Sequence, residues 1–141
     1  MISEWEKVYA DIIKNVKKIL IDNTETDALK NFTGVQRRFE ILHQSDSLTI
    51  VDDYGHHPAE IQATLETAKT VWPNQRLVVV FQPHRFSRTQ HLLESFYSSF
   101  NDADQLVLLD IYAAGEKPIE GIHSKKIAQG VREFGHKHVD H

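Results

Sequence analysis

Apolar residues recur through the start of the chain at Ile2, Trp5, Val8, Tyr9, Ile12, Ile13, Val16, Ile19 and Leu20. Steps of three and four predict an amphipathic helix over residues 2–21. Ser3 and Glu6 open it as a capping box, each side chain satisfying a free amide. Asp22-Asn23-Thr24 breaks the pattern, and a short second helix is expected from about Glu25 to Phe32, closed by Gly34. Beyond Gly34 the period changes. Leu48-Thr49-Ile50-Val51 is a β-branched run and a strand candidate. Pro58 suits a first helical position, and Ile61, Leu65, Ala68 and Val71 continue a helical stripe that Pro73-Asn74 ends. Leu77 to Phe81 is uninterruptedly apolar, the pattern of a parallel strand buried on both faces. A helix carrying Leu92, Leu93, Phe96 and Tyr97 follows, then a strand at Leu106–Leu109 and a last helix at about Ser124–Phe134.

From residue 48 the order is therefore strand, helix, strand, helix, strand, helix. It predicts a three-layer, Rossmann-like α/β domain with a mainly parallel sheet and right-handed crossovers, preceded by the amphipathic N-terminal helix. Residues 1–33 read as a helical segment and linker, and 34–141 as the domain itself. In such sheets ligands bind beyond the carboxyl ends of the strands. Three polar loops fall there: Asp52 to Pro58, Gln82 to Thr89, and Asp110 to Glu116. Arg85 and Arg88, three apart near a helix start, could join free backbone amides in holding an anion. Asp53 could accept from sugar hydroxyls, and His56 and His57 could orient a substrate or bind metal. Solvated loop residues and helix caps are the plainer alternative. Arg37-Arg38 reads from spacing alone as a solvated pair. His136, His138 and His141 read as a frayed terminus rather than a metal site.

Composition narrows the classes. The chain has 141 residues, 40% apolar and 26% charged, an ordinary globular balance for one domain. It has no cysteine, which excludes disulfides and thiolate zinc. No stretch of about 18 apolar residues could span a membrane, and the first turns carry acids, unlike a secretory leader. Sixteen basic against 20 acidic residues give a charge of −4, which speaks against general nucleic-acid binding. A cytoplasmic location is the default expectation. The unusual count is nine histidines. There is no Gly-x-x-x-x-Gly-Lys-Ser/Thr phosphate loop, no Gly-x-Gly-x-x-Gly and no Gly-x-Ser-x-Gly elbow.

Four segments carry a resemblance: Gly34-Val35-Gln36-Arg37-Arg38-Phe39-Glu40; Asp52-Asp53-Tyr54-Gly55-His56-His57-Pro58; Phe81 through Thr89 (FQPHRFSRT); and Asp110-Ile111-Tyr112-Ala113-Ala114-Gly115-Glu116. In this order and separation, over roughly residues 27–135, they resemble the C-terminal domain of the Mur ligases of peptidoglycan synthesis, specifically those that add L-alanine. Tyr54-Gly55 favours that branch over the related murein-peptide recycling ligase, which has Phe and Ala there. The resemblance implies an ATP- and Mg²⁺-dependent ligase joining L-alanine to UDP-N-acetylmuramate through an acyl phosphate. The phosphate loop and Mg²⁺ ligands would lie on a central domain. The C-terminal domain would supply the amino-acid site and close over ATP. Carried over residue by residue, Arg38 and Asp53 match ATP-binding positions. Tyr54, His56, Arg85 and Arg88 match positions around the amino acid. His56 or His57 could receive a proton, and no metal ligand is assigned here.

The chain is also shorter than the family pattern. Residues 1–26 do not match the central domain, and two later strands and a helix are missing. The expectation is therefore part of a three-domain enzyme, inactive alone, that pairs with the missing domains or with another copy. A non-catalytic nucleotide- or anion-binding remnant is the alternative, with a histidine metal-binding protein ranked below it.

Overall fold

A computed structural model describes residues 37–141. The helices expected at 2–21 and 25–32, the Ser3–Glu6 capping box and the Gly34 stop lie outside the described residues. The described part begins with strands β1 (Glu40–Gln44) and β2 (Thr49–Asp52). Helix α1 (Pro58–Val71), strand β3 (Val78–Phe81) and the short helices α2 (Phe86–His91) and α3 (Leu93–Tyr97) follow. Strand β4 (Gln105–Leu108), helix α4 (Ser124–Glu133) and strand β5 (Val139–Asp140) complete it.

The α/β class and the parallel sheet are as expected: β3, β4 and β5 pair in parallel in that order. Phe81 and Leu108 lie in register, and they share a face with Leu106 and Val139. Phe96 and Phe100 from the α3 region and Ile127, Ala128 and Val131 of α4 pack onto that face, and Ile61 and Leu65 of α1 join the same cluster. Ile61, Leu65 and Phe96 are positions that the helical stripes in the sequence named. Pro58 does open α1. The helix stops where the Trp72 amide reaches Ala68 O (2.8 Å) and Pro73 follows.

Three expectations need correction. The strand at 48–51 does not join the parallel sheet. It is β2, antiparallel to a β1 that the sequence pattern did not reveal, with a bulge between Ile41 and His43. The turn explains the choice: the Ser45 amide reaches Leu48 O at 2.8 Å, so the nearest partner is local and cheap to close. A cleft of about 240 Å³ is lined by Thr49 and Val51 of β2, Leu65 and Ala68 of α1, and Val78 and Val80 of β3. Second, β3 is not buried on both faces among the described residues, since Val78 and Val80 are 49% and 63% exposed. The strand order steps one way, and right-handed crossovers stepping one way place their helices on one side. Third, the tail is not frayed. Val139 and Asp140 pair with Leu106 and Val107, and the Leu106 amide reaches His138 O at 2.9 Å. His136 Nε2 bonds Ala103 O (2.9 Å) and its Nδ1 accepts from the His138 amide (3.3 Å).

Gly130 shows how closely α4 meets α3. A Cβ there would lie 2.0 Å from Tyr97 Cε1. At an open helical site Gly→Ala stabilises by about 1 kcal/mol. Here the overlap dominates, and Gly130→Ala is expected to destabilise the domain by about 1–3 kcal/mol. Urea unfolding of the single variant and of a Gly130→Ala/Tyr97→Ala double variant checks it, the second recovering most of the loss.

Candidate functional site

The carboxyl ends of β3 and β4 carry the polar loops expected there, and hydrogen bonds zip the two together. The Tyr112 amide donates to Pro83 O and the Arg85 amide to Tyr112 O, both 2.8 Å, and His84 and Tyr112 continue the parallel pairing past the strands. Gln82 Nε2 reaches Asp110 O at 3.2 Å.

Aromatic rings then form a row from the loop after β2 to the loop after β4. Tyr54 meets His56 edge-on with centroids 5.2 Å apart, His56 lies 6.4 Å from His84, and His84 lies 5.5 Å from Tyr112. The Arg37 guanidinium caps the row, 5.2 Å from the Tyr54 ring centroid. Arg88 Nη1 donates to His84 Nδ1 at 3.2 Å, so that nitrogen carries a lone pair. Burial, with the Arg88 and Arg85 charges behind it, depresses the His84 pKa below its usual 6.5 and keeps the imidazole neutral at pH 7. A neutral ring between two permanent cations leaves the positive charge on the arginines, where an anion would use it.

Arg85 sits at φ +73 as the N-cap of α2, with no capping side chain of its own. A non-glycine residue there costs of order 1–3 kcal/mol. The missing cap comes from 29 residues away. Glu116 accepts from the Ser87 amide at 2.9 Å and from Ser87 Oγ at 2.6 Å. The expectation that Arg85 and Arg88 share free helix amides with a ligand is therefore corrected at Ser87, whose amide already holds a carboxylate. The Ser87 hydroxyl and amide hold the Glu116 carboxyl below its usual range. A depressed carboxylate stabilises the fold above its unfolded pKa of 4.5 and loses that contribution as pH falls. The stability gap between wild type and Glu116→Gln should thus be full at neutral pH and shrink below about pH 4.5. Thermal melts of both proteins from pH 7 to 3 measure it.

The other predicted residues divide. Asp53 is tied to backbone, accepting from the Phe39 amide at 2.8 Å and the Gly55 amide at 2.7 Å. Arg38 is exposed at the entry to the hairpin, while its neighbour Arg37 binds Asp52 (3.2 Å) and faces Tyr54. His57 caps α1, its Nδ1 accepting from the Ala59 amide at 3.3 Å. Glu60 accepts from the His56 and His57 amides, both at 3.0 Å. Burial works against its charge, but those amides together with the charges of the His56 and His57 rings outweigh it and hold the carboxyl below its usual range. Arg37, Tyr112 and Glu116 are the site residues the sequence did not single out. Tyr112 and Glu116 stood within a noted loop, whereas nothing local distinguishes Arg37 from Arg38.

Ser124, His141 and Asp110 also meet, with Ser124 Oγ 2.5 Å and Asp110 Oδ1 3.6 Å from His141 Nε2. Both contact the same ring nitrogen, so the imidazole cannot relay between them as in a hydrolase triad. Among the described residues no group of three or more His, Asp or Glu side chains could hold a metal ion. No described helix is long and apolar enough to cross a membrane.

The profile described as "Mur ligase, glutamate ligase domain" matches residues 37–141, the whole of the described structure. The chain belongs to the Mur ligase family. A UDP-N-acetylmuramate–L-alanine ligase of Geobacter sulfurreducens is 53% identical over 113 residues, covering 80% of this chain and 24% of that protein. Its counterpart from Nitratidesulfovibrio vulgaris is 54% identical over the same length. Among solved structures, the UDP-N-acetylmuramate-alanine ligase of Thermotoga maritima superposes with a TM-score of 0.64 at 33% identity, over 81% of this chain and 23% of that one. A murein peptide ligase from Psychrobacter arcticus shares the fold, with a TM-score of 0.57 at 23% identity. The chain spans about a quarter of the length of these relatives.

Proposed function

We propose that the chain is the amino-acid-binding, ATP-closing part of an ATP-dependent ligase that joins L-alanine to UDP-N-acetylmuramate through an acyl phosphate. The observation that carries this reading is the convergence of Arg88, His84, His56 and Tyr54 beside the carboxyl end of β3, with Arg85 at the start of α2, in a chain 53–54% identical over 113 of its residues to proteins bearing that name.

Arg85 and Arg88 are suited to the α-carboxylate of L-alanine and to developing phosphoryl charge, because both need planar, permanently cationic donors. Tyr54 and His56 flank that position and hold the amine towards its target. Positioning supplies most of the acceleration in such a step, since the amine needs only to be unprotonated and aligned. Arg38 and Asp53 fit the ribose and phosphates of ATP. Arg38 is exposed, and each Asp53 oxygen that accepts an amide keeps a second lone pair. When bound, ATP supplies the activated phosphoryl group. The family resemblance assigns the Mg²⁺ ligands to the central domain. The proposed setting is the cytoplasm, with the nucleotide domains as the main partners.

The test is reconstitution. The 141-residue chain is mixed with separately expressed N-terminal and central domains of a relative such as the Geobacter enzyme. L-alanine-dependent phosphate release is expected from the mixture and from neither part alone. Release that is independent of L-alanine, or absent from a mixture shown to associate, contradicts the proposal.

A further inference from the structure

We propose that Glu116 is a positioning residue for the Arg85–Arg88 anion site: its carboxylate clamps the start of α2 and so sets where the two guanidiniums stand. This rests on the reading of that pair as an anion site.

The backbone on both sides of the clamp is bent towards it. Ala114 and Gly115 are successive residues at positive φ, +48 and +84, and the turn is closed by the Glu116 amide donating to Ala113 O at 3.0 Å. The turn aims the Glu116 side chain back across the loop pair. It ends on Ser87, two residues beyond Arg85 and one before Arg88. Arg85 is itself held at positive φ, its amide bound to Tyr112 O and its carbonyl accepting from both the amide (3.1 Å) and the hydroxyl (2.9 Å) of Thr89. Two unfavourable backbone conformations thus bracket one two-pronged hydrogen bond, and neither persists unless the surroundings hold it. A six-residue helix without a local cap has little stability of its own. Of the contacts named here, the clamp is the one that reaches the α2 amides beyond Arg85 from another segment.

The clamp also has a consequence opposite in sign to simple electrostatics. A carboxylate beside an anion site repels the anion, so neutralising a mere neighbour should tighten anion binding. Removing a clamp should weaken it, because the arginines lose their common geometry.

The experiment uses the full 141-residue chain and inorganic phosphate as probe, with binding followed by NMR at constant ionic strength. Saturable binding to wild type and its loss in Arg85→Ala and Arg88→Ala are expected. Glu116→Gln should bind roughly tenfold more weakly, the scale of one lost charge-assisted hydrogen bond. The Ser87 and Thr89 amides should exchange faster in that variant, while Val131 in α4 stays unchanged. Glu116→Asp keeps the charge but shortens the reach, and it should weaken binding as well. It also serves if Glu116→Gln does not fold. If phosphate does not bind wild type, or binds both arginine variants equally, the anion-site reading fails and the proposal goes with it. If the arginine variants lose binding but both Glu116 variants bind as well as or better than wild type, the positioning role alone is overturned.

Discussion

Arg85→Ala is expected to lower L-alanine-dependent phosphate release roughly 10²–10³-fold in the reconstituted ligase, the usual effect of deleting one donor to developing charge. Arg85 is exposed on the loop after β3, and its backbone is held at φ +73 by bonds to Tyr112 and Thr89. The alanine variant keeps those backbone bonds and loses only the guanidinium, so the fold should survive and melts should shift little. Arg85→Lys should recover part of the rate: it restores the charge but not the planar fork. If Arg88→Ala mainly raises the L-alanine concentration needed while Arg85→Ala lowers the maximal rate, the two arginines divide carboxylate binding from phosphoryl stabilisation. Steady-state release measured against L-alanine concentration separates these outcomes. Reconstitution indifferent to both arginines would remove the amino-acid site from this edge.

Phe100→Ala is expected to cost about 3–5 kcal/mol of folding free energy. Phe100 is fully buried, with its ring 5.3 Å from Phe81, which in turn lies 5.7 Å from Phe96. This triplet joins β3 to the α3 region beneath the loop that carries His84 and Arg85. Against a typical domain stability of about 5–15 kcal/mol, that loss removes a large share of the total, and nearly all of it at the lower end. Phe134→Ala, at a residue 59% exposed, should change stability by no more than about 0.5 kcal/mol. Denaturant unfolding of both gives the contrast. Similar losses in the two would mean that the core does not sit where the structure places it.

Much of the architecture was legible because it is local. Pro58 marks the start of α1, the stripe of Ile61, Leu65, Ala68 and Val71 its length, and the apolar run at 77–81 marks β3. The loops that bear the chemistry followed from a rule about strand ends. Tyr54, His56 and Arg88, which the motifs named, fall in or beside the aromatic row, a row that the sequence did not foretell. The helix stretch after Arg88 was legible as helical but not as two pieces broken at Leu92, since no proline or glycine marks the break.

The sequence by itself therefore determined α1, α4 and the strands β2, β3 and β4, their order and the polar loops that follow those strands, since each depends on neighbours within a turn or two of chain. Tertiary structure decided which partner each element took. It gave β2 a hairpin instead of a place in the sheet, and it ordered a histidine-rich tail by pairing Val139 with Leu106. It separated adjacent residues of one type, with Arg37 over Tyr54 and Arg38 at the surface, and His56 in the row and His57 capping a helix. It joined Glu116 to Ser87 across 29 residues. Such choices turn on which way a side chain points and on what a distant segment brings within about 3 Å, the reach of a hydrogen bond. No local pattern encodes that.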